Sequence, residues 1–356
     1  MKKELMYICA QPMNNFYVWQ VGLWLQSLED IGEINKAHVL LFKPTEDKEN
    51  DSTKNWEKLQ ALYPQATFRA YNDDHNIKSL LGVYIPVIRP YVLSRYFSEK
   101  PELSEKAVFY CDSDILFTRK PEIDDFLEDD ICYLSDTVSY IGAQYLDSKK
   151  SEAEKKHLKA MEKKDVLQEM ADLVGVDKET VIKNQNNSGG AQYLLKGVTA
   201  AFWDKVGKDS IMIKLYLDSL NRRFYESGDK GYQSWCSDMW AVLWNLWAEG
   251  KQTKVVREMN FAWATDPIED LEDKSILHNA GVTGDSVIRT RIKDENGQNI
   301  KIDAPAFYKG AFKDGTSPYE ALPYLQRVVS DETSKKFCTS YYVTYMLKYK
   351  DKLHFK

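Results

Sequence analysis

The run Val108-Phe109-Tyr110-Cys111-Asp112-Ser113-Asp114-Ile115-Leu116-Phe117 sets two carboxylates two residues apart at the end of an apolar strand. Side chains alternate along a strand, so carboxylates at this spacing project to one side and can reach a single hard dication. Oxygen ligands suit Mg²⁺ or Mn²⁺, which keep positions open for water and for a substrate's phosphates. The competing reading is a turn whose aspartates cap the next element. Two bare carboxylates beside a buried strand repel each other unless a cation neutralises them, which raises the standing of the metal.

Three further groups could complete such a site. Ile276-Leu277-His278-Asn279-Ala280-Gly281 ends an apolar run in an imidazole, a good ligand for Mn²⁺, although a satisfied structural histidine has the same signature. His75, in the polar loop Asn72–Asn76, is its rival. In Asn187-Ser188-Gly189-Gly190-Ala191-Gln192-Tyr193, adjacent glycines let backbone N–H groups converge on an anion or a sugar hydroxyl, while Asn187 and Gln192 offer amides; a plain loop before a strand is the alternative. In Trp235–Trp247, Trp240, Leu243, Trp244 and Trp247 recur at helical spacing and read as core. Asp238 follows a Ser237 cap, where the helix dipole favours a carboxylate; facing a cleft, it would be placed to bind an acceptor hydroxyl.

These groups need a scaffold, and the first third of the chain supplies its pattern. Strand-like runs at 5–9, 37–42, 67–71 and 107–111 alternate with helical periods at 17–28, around 56–62, and from Pro86 to Phe97. That order predicts a largely parallel sheet with helices on both faces, whose ligands bind at the carboxyl ends of the strands. One more strand is expected at 131–134 and another at 191–195. Helices are expected at 198–206, 211–224 and 237–249, with short strands at 254–256 and 275–278. The Lys/Glu-rich stretch 148–164 reads as a solvated helix or excursion, and 319–329 and 341–353 as helices of the tail.

The chain has 356 residues, 43% hydrophobic and 29% charged, as a folded protein does. Its net charge of −6 offers no overall field for nucleic acid or an anionic membrane, so sequence-specific nucleic-acid reading is not expected. No stretch reaches membrane-spanning length. Five scattered cysteines without a CxxC pair indicate reduced thiols, and a cytoplasmic location is expected. The sequence has no GxxxxGK[ST], GxGxxG, GxSxG or HExxH, the signatures of P-loop, dinucleotide, α/β-hydrolase and zincin chemistry.

Taken in order, Asn14-Asn15-Phe16-Tyr17-Val18-Trp19-Gln20, the Asp112/Asp114 block, the Asn187–Tyr193 turn, the Trp235–Trp247 helix, Ile276-Leu277-His278 and Lys309-Gly310 resemble GT-A fold glycosyltransferases. Within these, the pattern is most similar to the hydroxyproline O-arabinosyltransferase and peptidyl-serine galactosyltransferase group. The resemblance spans about residues 5–312 by ordered motifs.

It implies a GT-A-like mostly parallel central sheet in a domain over 1–312, with a charged helical insertion at about 148–183 and a helical extension over 313–356. It further implies a UDP-sugar donor, held by Mn²⁺ or Mg²⁺ on Asp112, Asp114 and His278, and sugar transfer to a hydroxyl with retention. Gln11, Tyr17 and Gln20 would line the nucleoside pocket. Ser113, Asn187, Gly189, Gly190, Gln192 and Lys309 would lie on the donor, and Asp238 would be the catalytic carboxylate. Relative to the secretory-pathway members of that group, no amino-terminal anchor is expected, and the C-terminal motif differs. The acceptor therefore stays open among glycan, protein, metabolite and modified nucleobase. A nucleotidyltransferase or nucleotide-sugar hydrolase on the same sheet, and a non-catalytic nucleotide or sugar binder, are the alternatives.

Overall fold

The computed structural model of the chain describes residues 2–43, 51–74, 76–82, 84–226, 230–293 and 299–355; His75 lies outside them. The chain begins with β1 (Leu5–Pro12), α1 (Asn15–Asp30), β2 (Ala37–Lys43), β3 (Thr67–Asn72), α2 (Ile88–Glu99) and β4 (Ala107–Tyr110). There follow β5 (Ile115–Phe117), β6 (Cys132–Asp136), α3 (Ala143–Met161), β7 (Gly189–Lys196), α4 (Ala200–Phe224) and α5 (Ser237–Ala248). β8 (Thr253–Val255), β9 (Phe261–Trp263), β10 (Ile276–His278) and, near the C-terminus, α6 (Cys338–Lys348) complete the frame.

Seven strands form the central sheet in the order β3-β2-β1-β4-β7-β6-β8. Its pairings are parallel except β4 with β7 and β6 with β7, so the mostly parallel sheet with flanking helices expected from the sequence is what the chain forms. β1 is buried along Leu5–Gln11 because helices cover both faces, and a strand in that position reads as a continuous apolar run. Met6, Ile8 and Ala10 face the core built with α2, α4 and α5; Leu5, Tyr7 and Cys9 face the one built with α1 and α6. All five cysteines are buried and unbridged. Among the described residues no helix is long and apolar enough to cross a membrane.

Two details depart from the sequence expectation, and two add to it. The segments 198–206 and 211–224 form one helix, α4, because the polar step between them is satisfied inside the protein: Asp209 accepts from Lys205 Nζ at 2.6 Å and from Asn245 Nδ2 at 2.8 Å. The helix expected from Pro86 begins at Ile88, after a 3₁₀ turn over Ile85–Val87, and it carries Pro90 in its first turn, where no N–H is needed. The stretch after His278 contains a hairpin pairing Val287–Lys293 with Asn299–Pro305. The charged stretch 148–164, expected as a solvated helix or excursion, lies mostly in helix α3, and Leu146, Ala153 and Met161 pin that helix to the first core.

Candidate functional site

β4 ends at Tyr110, one residue earlier than its apolar run suggests, so Asp112 and Asp114 stand on a turn and not on a pleated strand. What brings them together is the strand that follows. β5 pairs antiparallel with β10, Ile115 opposite His278, and the Asn279 N–H donates to the Asp114 carbonyl at 2.9 Å. This small sheet, β5-β10-β9, seats the imidazole against both carboxylates: His278 Nε2 is 3.3 Å from Asp114 Oδ1 and 3.7 Å from Asp112 Oδ2. The ring is clamped by Trp263, stacked at 5.3 Å, and by the edge of Phe261 at 5.1 Å.

Two oxygens and one nitrogen from Asp112, Asp114 and His278 lie within 4.8 Å of one another, the donor set of a Mn²⁺ or Mg²⁺ centre. The residues therefore fit the dication that the sequence suggests. Two side-chain cations share the same carboxylates. Arg89, at the start of α2, places Nη2 2.6 Å from Asp112 Oδ1 and Nη1 3.4 Å from Asp238 Oδ2, and Lys309 pairs with Asp114. Burial works to raise the Asp114 carboxyl, yet Lys309 and His278 beside it hold it far below the usual carboxylate range. At Asp238 burial prevails and the carboxyl sits above its ordinary value, although Arg89 and the Tyr84 hydroxyl act to lower it. Arg89 is held well above its ordinary value, because Asp112 leads the anionic neighbours that outweigh its burial.

Asp238 stands in the first turn of α5 as the sequence suggests, fastened from the loop before α2. The Tyr84 hydroxyl lies 2.7 Å from Asp238 Oδ1 and 2.9 Å from the Trp235 carbonyl, and accepts from the Asp238 N–H at 2.9 Å. Asp112, Asp238 and Arg89 open onto one pocket of about 160 Å³, with Tyr110, Met239 and Trp235 among its walls. A larger cleft of about 400 Å³, bordered by Asn15, Lys58 and Leu353, contains none of these groups.

The remaining expected residues divide. The Tyr17 hydroxyl lies within the field of Arg89, Asp114 and Asp112; burial raises it most and Arg89 opposes that. Gln11 and Gln20 are buried, and the Gln20 amide donates to its own helix at Phe16 O, 2.6 Å away. Ser113 is buried between the two aspartates. The Gln192 amide is taken up by the protein: Oε1 accepts from Ser135 Oγ at 3.1 Å and Nε2 lies 3.4 Å from His278 Nδ1. Gln192 thus touches the imidazole nitrogen that faces away from the carboxylates.

Gly189 and Gly190 open β7 itself. A methyl at Gly189 would strike Leu134 and the Ser135 carbonyl, and one at Gly190 would strike Met239 and Tyr193. Close packing against Leu134 Cβ and a backbone carbonyl accounts for Gly189, whereas at Gly190 the neighbours are side-chain tips; the next residue, Ala191, takes φ +67° beside the pocket. Asn187 lies in the 3₁₀ turn just before β7.

Arg89, Tyr84 and Trp263 were not foreseen. Only Arg89 left a signal: a lone cation in Ile85-Pro86-Val87-Ile88-Arg89-Pro90 must enter the core with its carboxylates.

No family model matches the chain, and no curated protein does. Solved structures give distant likenesses. A galactosyltransferase, LgtC, in complex with donor and acceptor sugar analogs is 10% identical over 79% of this chain and 88% of its own, with a TM-score of 0.39. Mouse xyloside xylosyltransferase 1 is 10% identical over 79% and 98%, at 0.33. Core-mannan synthase A from Aspergillus fumigatus, in a Mn/GDP form, is 13% identical over 71% and 73%, at 0.29. None is close enough to carry an argument about what this chain does; the site's own geometry must do that.

Proposed function

We propose that the protein is a metal-dependent glycosyltransferase that moves a sugar from a UDP-sugar to a hydroxyl acceptor with retention, akin to the hydroxyproline O-arabinosyltransferase and peptidyl-serine galactosyltransferase group. The observation that carries this reading is the meeting of Asp112 and Asp114, on the turn after β4, with His278, at the end of β10, next to a pocket that holds Asp238.

Asp112, Asp114 and His278 would hold Mn²⁺ or Mg²⁺, which when bound supplies Lewis-acid charge to the diphosphate, an effect of several kcal/mol. Lys309 adds a fixed positive charge at the same corner, where the leaving diphosphate gains negative charge. Asp238 orients the acceptor hydroxyl or supports the cationic sugar centre. Arg89 ties Asp238 to Asp112 and sets the spacing between the leaving-group side and the acceptor side. Tyr17 borders the donor on the α1 side.

The test is the thermal shift of the full chain with UDP, with and without Mn²⁺, followed by a screen of UDP-sugars for metal-dependent hydrolysis. UDP is expected to stabilise the wild type only when Mn²⁺ is present. Asp112→Asn and Asp114→Asn should each abolish that shift and cut turnover by about 10²-fold or more. Unchanged UDP binding and turnover in both variants would remove the metal site and the reading with it. Stabilisation without turnover of any donor would make the protein a binder.

A further inference from the structure

The sequence contains nine tryptophans, and seven of them, Trp19, Trp24, Trp56, Trp203, Trp240, Trp244 and Trp247, are at most 5% exposed. Trp263 is stacked on His278. Trp235 is 60% exposed, and its position gives that exposure meaning, since a lone apolar residue elsewhere on a surface needs no explanation. It borders the pocket that contains Asp112, Arg89 and Asp238. Pro86 lines the same pocket, and its neighbour Ile85 is 55% exposed.

The turn that bears the indole is braced at several points. The Trp235 carbonyl lies 2.9 Å from the Tyr84 hydroxyl, the group that also fastens Asp238. Ser234 Oγ donates to Asp218 at 2.5 Å, Ser237 Oγ donates to the Ser234 carbonyl at 2.6 Å, and the Cys236 N–H donates to the Gln233 carbonyl at 2.9 Å. A ring held outward on a rigid turn loses little freedom when something stacks on it.

We propose that Trp235 is the stacking platform for the acceptor, and that the acceptor presents a sugar ring there. This deepens the transferase reading and rests on it. The charge of the pocket selects the class. Among the described residues lining it, the one cation is Arg89, and its guanidinium is committed to Asp112 and Asp238. A polyanionic acceptor such as a nucleic acid strand needs free cations along its path as well as an aromatic face. A neutral sugar needs only what is present: an indole for its C–H face and the Asp238 carboxylate for a hydroxyl.

The experiment follows acrylamide quenching of red-edge tryptophan emission in the full chain, without donor or metal. The probes are a panel of methyl glycosides at tens of millimolar and, separately, a single-stranded oligonucleotide. At least one glycoside should lower the accessible emission, Trp235→Phe should erase that change, and Trp235→Ala should weaken the same glycoside by about tenfold in saturation-transfer NMR. The proposal is overturned if no glycoside protects, if protection survives in Trp235→Phe, or if the oligonucleotide protects where the glycosides do not. The wild-type thermal shift with UDP and Mn²⁺ reports on the donor site alone, so its failure is read separately.

Discussion

Asp114 is buried and Asp238 half-buried, and their carboxyls move in opposite directions because their partners differ. Asp114 has Lys309 and the His278 ring against it, and these outweigh desolvation. Asp238 has Arg89 at 3.4 Å, a guanidinium that stands closer to Asp112 at 2.6 Å, so desolvation prevails. A carboxyl that titrates high in the folded state stabilises the fold below the unfolded value, and that stability is lost as pH rises through the raised folded value. An amide does not titrate. Asp238→Asn should therefore lower donor turnover by about 10²-fold while raising the melting temperature at pH 7.5 by about 2 °C, with the gap closing as pH falls toward 4. A melting temperature below wild type at pH 7.5 would show that the pairing with Arg89 outweighs burial.

At the scale of elements, the strands do more than frame the site. β2 carries His38, whose Nδ1 lies 2.7 Å from the Tyr96 hydroxyl on α2, and burial, helped by Lys106 and Lys100, pushes the ring down to about 4. The unfolded chain binds that proton near pH 6.5, so the stability tied to the neutral ring is complete above that value and is lost as pH falls toward 4. Its full size is about 3 kcal/mol. His38→Gln should flatten the fall in urea stability between pH 6.5 and 4 by most of that amount; an unchanged acid limb would place the loss in other groups. The β5-β10-β9 sheet is the other decisive element, since it sets His278 opposite Ile115 and so beside Asp114.

Across the whole molecule, the C-terminal helices share the core that contains β1 and α1. Leu325, Val328, Cys338, Tyr342, Val343 and Met346 are buried there with Tyr7, Trp24 and Phe109. Each such apolar side chain contributes about 1.5–3 kcal/mol by burial, against a total stability of about 5–15 kcal/mol. Deleting residues 338–356 is therefore expected to leave no cooperative melting transition. A truncated chain that still melts sharply and still binds UDP with Mn²⁺ would make that segment dispensable.

The sequence by itself determined the layered α/β frame, because strands covered on both faces must be apolar throughout and the helices over them must repeat at their own period. It also pointed to Asp112, Asp114, Asp238 and His278, polar groups that interrupt or end apolar runs. Those are local signals of burial and direction. Only the tertiary structure decided that Arg89 links Asp112 to Asp238, that Tyr84 fastens Asp238, that Gln192 turns toward His278, and that Gly189 packs against Leu134 and the Ser135 carbonyl. It also joined α4 across Gly207 and paired the hairpin after His278. Each of these depends on the register between segments distant in the chain, and a local pattern of apolar and polar residues has no way to encode which distant partner will arrive opposite.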